Sequence, residues 1–104
     1  MASTPEAKVK KALVAQLKEI GAYYFYPVTG GYGKSGVPDV ICCFRGRFFG
    51  FECKAGNNKP TALQQKNLIE IRNNGGVAVV INEENVHTVH HILVRDIVEE
   101  VLND

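Results

Sequence analysis

Several features that would place this sequence in a special class are missing. Its three cysteines include no C-x-x-C pair, and two of them are adjacent in an apolar run, so the sequence predicts neither a disulfide framework nor a zinc site. We expect these cysteines to be reduced core residues of a cytoplasmic protein. No apolar run approaches the roughly 20 residues that a membrane-spanning helix needs, and the polar N-terminus predicts a helix and no signal peptide. The sequence therefore indicates no membrane partner.

A strong net charge is also missing. The chain has 12 basic and 11 acidic side chains, which leaves a formal net charge of +1. Many nucleic-acid-binding proteins carry a large positive field, so any contact with DNA has to come from a local patch. The 104 residues contain no repeat, linker or low-complexity segment. That length predicts a single domain, residues 1–104, with one core.

The segment at 36–54 predicts a β-hairpin. Two apolar runs, VICCF and FFGFECK, flank Arg45 and Gly46, and glycine supplies the positive φ that a tight turn needs. A two-residue loop sets a register in which Asp39 lies opposite Glu52. Directly opposed residues on one face have Cβ atoms roughly 4.5–5.5 Å apart, so this register brings two carboxylates together.

Two carboxylates at that distance repel each other unless a cation lies between them, and Mg²⁺ is commonly held by one or two carboxylates. Glu52 and Lys54 share a strand face, so the hairpin predicts half of a metal site with a lysine beside it. A plainer explanation also stands, because charged residues are common at strand ends and in turns. The position of Glu52 and Lys54 within an aromatic strand favours the site, as does the apolar run that directly follows Asp39.

The flanking sequence predicts further strands and helices. Thr4 and Gly21 begin and end a first helix. The aromatic run at 22–28 predicts a strand at a sheet edge, because Pro27 cannot donate a hydrogen bond to a neighbouring strand. The run VAVVI at 77–81 predicts a strand buried on both faces, parallel to the hairpin strand because it follows a helix.

A second helix lies between these strands and a third follows the last one. Thr61 caps the second helix, and the residues at 73–76 stop it. The third extends over about 85–102 with a wide apolar stripe. His87 and His91 are spaced i,i+4, but the partner acid of H-E-x-x-H is missing, so we assign no metal to them. We expect inward-facing residues to be Leu63, Leu68 and Ile71 in the second helix and Val89, Ile92, Leu93, Ile97, Val98, Val101 and Leu102 in the third.

Four motifs in this order resemble the virus-type replication-repair nuclease (VRR-NUC) domain of the PD-(D/E)XK, restriction-endonuclease-like superfamily. They are a glutamate on the opening helix (Glu6), G-x-P-D at 36–39, E-x-K at 52–54 and T-x-x-Q at 61–64. The resemblance extends over about residues 5–81. It implies an α/β fold in which helices flank a small mixed β-sheet, in the order α-β-β-β-α-β-α.

The resemblance implies a metal-dependent DNA endonuclease, which hydrolyses phosphodiester bonds. Small stand-alone members are viral or prophage-encoded, and they act on branched DNA such as four-way (Holliday) junctions in replication or repair. Asp39 and Glu52, with the backbone carbonyl of Cys53, would hold Mg²⁺ or Mn²⁺, because hard oxygen ligands suit these ions. Lys54 would orient the attacking water or stabilise the pentacovalent transition state.

The resemblance also implies supporting roles for Glu6 and Gln64. Glu6 would point into the metal site, although a first-turn acid that complements the helix dipole has the same appearance in a sequence. Gln64 would contact the scissile phosphate or an active-site water, and the alternative is an ordinary surface glutamine.

Three lysines are candidate DNA contacts. Lys34 lies in the glycine-rich stretch at 29–35, and a flexible loop there is well placed to lie along a phosphate backbone. Lys8 and Lys11 lie on the opening helix, although a solvated helix surface is the ordinary role of such lysines.

We expect the working unit to be a symmetric homodimer. One catalytic site cuts one strand at a time, and a net charge of +1 gives one copy a weak hold on DNA, whereas two copies bind bivalently. Two-fold pairing also matches the near-two-fold symmetry of a four-way junction. The stripe of the third helix and the aromatics at 23–26 are candidate contacts.

A different class of protein stays open. A nucleic-acid-binding module with the same fold but without turnover fits the near-neutral charge, but binding alone needs no opposed carboxylates. A protein-interaction domain would leave the cluster of Asp39, Glu52 and Lys54 unexplained.

Overall fold

The computed structural model describes residues 4–28 and 33–95, and its helices and strands follow the predicted order. The α/β class predicted from the sequence is confirmed. Within the described ranges, no helix combines the length and the apolar character that crossing a bilayer requires. The elements are α1 Pro5–Ile20, β1 Tyr23–Phe25, β2 Val40–Phe44, β3 Arg47–Cys53, α2 Ala62–Asn73, β4 Val77–Ile81 and a 3-10 turn at Val86–Thr88, followed by helical residues 89–95.

Helix α1 begins and ends where the sequence predicts. Thr4 is the N-cap, and its Oγ1 accepts the backbone N–H of Ala7 at 3.0 Å, an amide that no carbonyl of the helix reaches. Gly21 is the C-cap with φ of 81°, a left-handed conformation that glycine adopts without a steric cost. These caps hold the first turn of α1, which contains Glu6, in a defined position.

The four strands form one mixed sheet in the order β1-β2-β3-β4. β1 pairs antiparallel with β2, and β2 pairs antiparallel with β3. β4 lies parallel to β3, as predicted from the helix that precedes it. In the described sheet β1 lies at an edge, as Pro27 predicted.

The hairpin of β2 and β3 has the predicted register. Phe44 pairs with Arg47 across a two-residue turn, and both residues of that turn have positive φ, 52° and 80°. Positive φ at both positions is the mark of the type I′ turn, whose twist matches that of the strands. Counting outward along the ladder places Asp39 opposite Glu52 at the open end of the hairpin.

The core lies between α1 and one face of the sheet. Phe49 and Phe51 are fully buried, and their stacked rings lie 6.0 Å apart between centroids. Burial of a side chain of this size contributes roughly 1.5–3 kcal/mol, so this layer fixes how α1 packs on β3. The other buried apolar members are Val9, Leu13, Val14, Leu17, Val40, Cys42, Cys53, Ile81, Val89 and Leu93.

Helix α2 packs on the other face of the sheet, over β3 and β4. A Cβ atom at Gly50 would lie 2.8 Å from Cδ1 of Ile71, so only glycine allows so close an approach. Arg72 donates from Nε and Nη2 to the carbonyl of Ala78 at 3.0 and 2.7 Å. α2 leaves the β1 side of this face uncovered, where Tyr23 is 70% exposed.

Strand β4 differs from the prediction. The apolar run predicted burial on both faces, but three of its five residues are only partly buried. In the described sheet β4 is the outer strand next to β3, so its packing is incomplete. An apolar run does not reveal where in a sheet the strand will lie.

The inward position predicted for Leu63 is also wrong. Its side chain is 47% exposed, whereas Leu68 is buried and Ile71 is partly buried, as predicted. Leu63 covers the loop that precedes β2, and its Cγ lies 2.6 Å from the place where a Cβ of Gly36 would be. Leu63 therefore packs against this loop and not into the core, and the sequence did not predict that contact.

The third helix begins later than predicted. The 3-10 turn Val86–Thr88 precedes the helical residues 89–95. Asn85 donates from Nδ2 to the carbonyl of Val80 at 2.8 Å, and such side-chain bonds to the backbone compete with helix formation. Val89 and Leu93 are buried and Ile92 is partly buried, as predicted. Ile97, Val98, Val101 and Leu102 lie outside the described residues.

Candidate active site

Asp39 is fastened to the end of β3. Its Oδ2 accepts the backbone N–H of Cys53 at 2.8 Å, which the hairpin register makes possible because Asp39 lies one residue before β2. A carboxylate that accepts a backbone N–H has one oxygen fixed in direction. The open end of the hairpin therefore places Asp39 beside Glu52.

Glu52 is a buried carboxylate with an unsatisfied oxygen. The residue is 1% exposed, and its Oε2 lies 3.5 Å from Nζ of Lys54. Within the described part of the chain, no hydrogen-bond donor reaches the buried Oε1. Buried polar atoms in proteins are nearly always paired, so this oxygen marks a place where another group is expected.

The surroundings of Glu52 oppose its ionisation. Burial, and after it the neighbouring charge of Asp39, raise the pKa of Glu52 from its ordinary 4.5 to about 8, although the ammonium of Lys54 acts in the opposite direction. A buried pair of carboxylates cannot easily hold two negative charges. A cation between the two carboxylates would compensate both negative charges. Without a cation, the repulsion is relieved when Glu52 is protonated.

Lys54 connects the hairpin to the first turn of α1. Its side chain is 14% exposed, and its Nζ lies 3.8 Å from Oε1 of Glu6 in addition to its contact with Glu52. The structure thus brings Glu6, Asp39, Glu52 and Lys54 into one cluster. The half-exposed carboxylate of Glu6 lies on the solvent side of Lys54, and its predicted part in metal binding stays a prediction.

Gln64 has a structural role at the start of α2. Its Oε1 accepts the backbone N–H of Thr61 at 2.9 Å, while Oγ1 of Thr61 accepts the N–H of Gln64 at 3.2 Å. This reciprocal pair is a capping box. Among the described hydrogen bonds of Gln64, none joins it to the cluster of Asp39, Glu52 and Lys54, so its predicted contact with substrate stays a prediction.

The donor set suits a hard divalent cation. Two carboxylates and the backbone carbonyl of Cys53 offer oxygen ligands of the kind that Mg²⁺ and Mn²⁺ prefer. Over residues 4–28 and 33–95, no three His, Cys, Asp or Glu side chains converge to hold a metal, so a cation here takes its remaining ligands from the carbonyl, water or substrate. The unsatisfied Oε1 of Glu52 fits such a cation.

Asn67 supports the site, although no motif in the sequence pointed to it. It is 5% exposed, and its Nδ2 donates to the carbonyl of Ser35 at 3.1 Å and to that of Leu63 at 2.9 Å. It therefore ties α2 to the loop that leads into Asp39. The sequence does contain a signal for this role, because Asn67 is a polar residue next to Leu68 on the inward side of an amphipathic helix.

The candidate DNA-contact lysines lie in different surroundings. Nζ of Lys34 lies 3.0 Å from Oε2 of Glu70, so its charge is balanced by α2. Lys8 and Lys11 are exposed on α1. A further lysine of this helix, Lys10, was not among the candidates, and its Nζ lies 4.4 Å from the ring centroid of Tyr26.

Comparisons with known proteins agree with this fold. No family model matches the chain. A curated protein of Acyrthosiphon pisum secondary endosymbiont phage 1, named "Putative nuclease p44", is 27% identical over 85 residues, which are 81% of this chain and 89% of the relative. A solved structure described as a VRR_NUC domain matches with a TM-score of 0.69 and 24% identity, over 86% of this chain and 97% of that one. The chain therefore has the fold of the VRR_NUC domain, which confirms the resemblance that its motifs indicated.

Proposed function

We propose that the chain is a metal-dependent endonuclease that hydrolyses phosphodiester bonds in DNA. The observation that supports this most is the carboxylate of Glu52, buried beside Asp39 and Lys54 with one oxygen unsatisfied. Such an arrangement destabilises a fold, because a buried carboxylate oxygen without a partner has lost its hydration and gained no hydrogen bond. A function that requires a cation next to Glu52 explains why the fold keeps this carboxylate. The phage relative named as a nuclease supports the same function.

The cation is Mg²⁺ or Mn²⁺, held by Asp39, Glu52 and the backbone carbonyl of Cys53. When bound, such an ion lowers the pKa of water and neutralises charge on a phosphate. Asp39 offers its carboxylate to the cation in a fixed orientation, because its Oδ2 accepts the N–H of Cys53. Glu52 offers its carboxylate from a buried position, so this ligand moves little when substrate binds.

Lys54 provides a fixed positive charge for the scissile phosphate. Its ammonium is nearly buried and lies between Glu52 and Glu6, so few rotamers are open to it. A preorganised charge in a poorly solvated place stabilises the developing negative charge of the transition state more strongly than a mobile surface lysine does. The ammonium also orients the attacking water.

Glu6 and Gln64 have supporting roles. Glu6 pairs with the ammonium of Lys54 and adds negative charge to the surroundings of the cation site. Gln64 uses its oxygen in the capping box, so a contact with phosphate or water falls to its amide N–H groups, which can donate.

The substrate is branched DNA such as a four-way junction, and the protein acts as a homodimer in a phage or its bacterial host. Lys8, Lys11 and Lys34 contact the phosphate backbone. A surface for the second copy is the sheet face beside β1 that α2 does not cover, where Tyr23 and Phe25 are 70% and 46% exposed among the described residues. Two copies offer two sites and twice the positive charge to a substrate with two-fold symmetry.

The test is cleavage of a supercoiled plasmid and of a four-way junction with Mn²⁺, Mg²⁺ or EDTA. We expect cleavage with either ion and none with EDTA. Glu52→Gln and Lys54→Met should remove cleavage without loss of fold, whereas Glu84→Gln, an exposed acid of the loop after β4, should cleave as wild type. Cleavage in EDTA, or full activity of Glu52→Gln, would contradict the proposal. Tight DNA binding without cleavage under any condition would favour a binding module.

Light scattering tests the dimer. The expected mass is twice the 11.5 kDa of one chain, alone or on junction DNA. A mass of one chain in both states would contradict this part of the proposal and leave the catalytic part unaffected.

A further inference from the structure

A groove of about 510 Å³ lies along α1, beside the end of β1. Its described lining consists of the lysines Lys10, Lys11 and Lys18, the ring of Tyr26 and small apolar residues of the helix, with no carboxylate. We call it the α1–Tyr26 groove. Because the chain as a whole has a net charge of only +1, three lysines without an acid mark a local positive surface.

This groove begins one helical turn from the candidate active site. Lys10 follows Glu6 by four residues, so the two side chains share a face of α1. Glu6 in turn lies 3.8 Å from Lys54. A strand with its scissile phosphate at Lys54 can therefore continue into the groove.

The spacing of the lysines suits a chain of charges better than a single anion. Lys11 and Lys18 are separated by seven residues, or about 10 Å along a helix axis. Two lysine side chains that start that far apart can contact successive phosphates without converging on one point. The lysines therefore fit successive phosphates of a polyanion that lies along α1.

Tyr26 adds a flat aromatic surface among these charges. Its ring is 47% exposed, and Lys10 lies over it at 4.4 Å from the centroid. An exposed cation–π contact is weak, so a phosphate can draw Lys10 away and leave the ring open. Aromatic rings between basic side chains are typical of sites that bind single strands, because an unpaired base can stack on them.

We propose that the α1–Tyr26 groove binds a single-stranded DNA segment next to the cleavage site, with phosphates on Lys10, Lys11 and Lys18 and a base stacked on Tyr26. Bases in a duplex are stacked on each other, so a duplex leaves the ring of Tyr26 without a partner. The proposal rests on the proposed function for the position of the cut, and it directs the enzyme to branched or frayed DNA that exposes such a segment.

The test is binding of a fluorescein-labelled oligothymidylate in EDTA, where cleavage does not enter, with a short duplex as the second probe. Tyr26→Leu should weaken binding of the single strand by about fivefold or more and change duplex binding little. Tyr26→Phe keeps the ring and should bind as wild type. Phe48→Leu is the matched control, since Phe48 is an aromatic residue with similar exposure, 46%, but lies on the sheet face opposite to α1.

The salt dependence tests the lysines. Replacing Lys11 or Lys18 with Gln should lower the slope of log K against log salt by about 0.7 for each phosphate of a single strand that the variant no longer neutralises. Lys66→Gln, on the exposed side of α2, should keep the wild-type slope.

The two proposals fail in different ways. Equal effects of Tyr26→Leu and Phe48→Leu, or equal weakening of single strand and duplex by Tyr26→Leu, would overturn the groove as a single-strand site. Selective loss of single-strand binding in Tyr26→Leu, in a protein that cleaves nothing with Mn²⁺, would support the groove and overturn the nuclease assignment.

Discussion

Replacing Glu52 with glutamine should make the metal-free protein more stable at slightly alkaline pH. Glutamine has nearly the same shape, but it carries no charge and can donate to the carboxylate of Asp39. In the wild type, burial and the charge of Asp39 raise the pKa of Glu52 from 4.5 to about 8. The unfolded chain therefore releases this proton at lower pH than the folded chain does.

The sign of the effect follows from this order of titration. Between about pH 4.5 and pH 8 the folded state binds more protons than the unfolded state, so the free energy of unfolding falls as the pH rises. At about 1.36 kcal/mol per pH unit, the full difference corresponds to at most about 5 kcal/mol. Water can approach from the side of Lys54, which is 14% exposed, so we expect a loss of about 2–3 kcal/mol. Glu52→Gln should not show this loss.

Urea unfolding followed by circular dichroism, in EDTA from about pH 5 to pH 8, measures the effect. Other groups contribute to the pH dependence of both proteins alike, so the informative quantity is the difference between wild type and variant at each pH. Glu19→Gln, an exposed acid on α1, serves as the control and should keep the wild-type slope. Parallel curves for wild type and Glu52→Gln, or a less stable variant at pH 8, would refute the reasoning.

Three further predictions concern the cation, the loop before β2 and the cap of α2. Mn²⁺ at a concentration of one hundred times its Kd should stabilise the wild type by about 2.7 kcal/mol and so raise its thermal midpoint. The midpoint of Asp39→Ala should not rise, and an equal rise would place the ion elsewhere. Gly36→Ala should destabilise by about 1–3 kcal/mol in urea unfolding, because φ is +75° and the new Cβ would lie 2.6 Å from Leu63. Gly75→Ala, with φ of +88° and nothing within 4 Å, should cost less, and equal losses would exclude the clash. Thr61→Ala should cost about 0.5–2 kcal/mol of stability because the N-cap hydrogen bond is removed, and an unchanged urea midpoint would contradict this.

The parts of the site that depend on local rules could be predicted from the sequence. A two-residue turn at Arg45 and Gly46 fixes which residues of β2 and β3 face each other, and alternation along the strand then places Glu52 with Lys54. Both are consequences of backbone geometry over a few residues. The caps of α1 and α2 are local in the same way.

The parts that depend on packing between distant segments could not be predicted. The bond from Asn67 to Ser35 joins residues 32 positions apart, and the pair of Lys34 and Glu70 joins residues 36 apart. Each requires the docking of α2 on the sheet, which no short pattern encodes. The contact of Lys10 with Tyr26 likewise depends on the angle at which α1 crosses β1.

The turn between β2 and β3 constrains how this chain can vary in length. Asp39 and Glu52 belong to opposite strands, and the two residues at the tip are the link that sets their relative position. Inserting one residue at the tip, unless a longer loop absorbs it, would shift the register and move every side chain of one strand to the other face of the sheet. Glu52 would then exchange places with a core residue such as Phe51, and the core would be disrupted together with the site. Insertions and deletions should therefore accumulate in the stretch at 29–35 and after β3, while the length from Asp39 to Glu52 stays constant among chains that keep the chemistry.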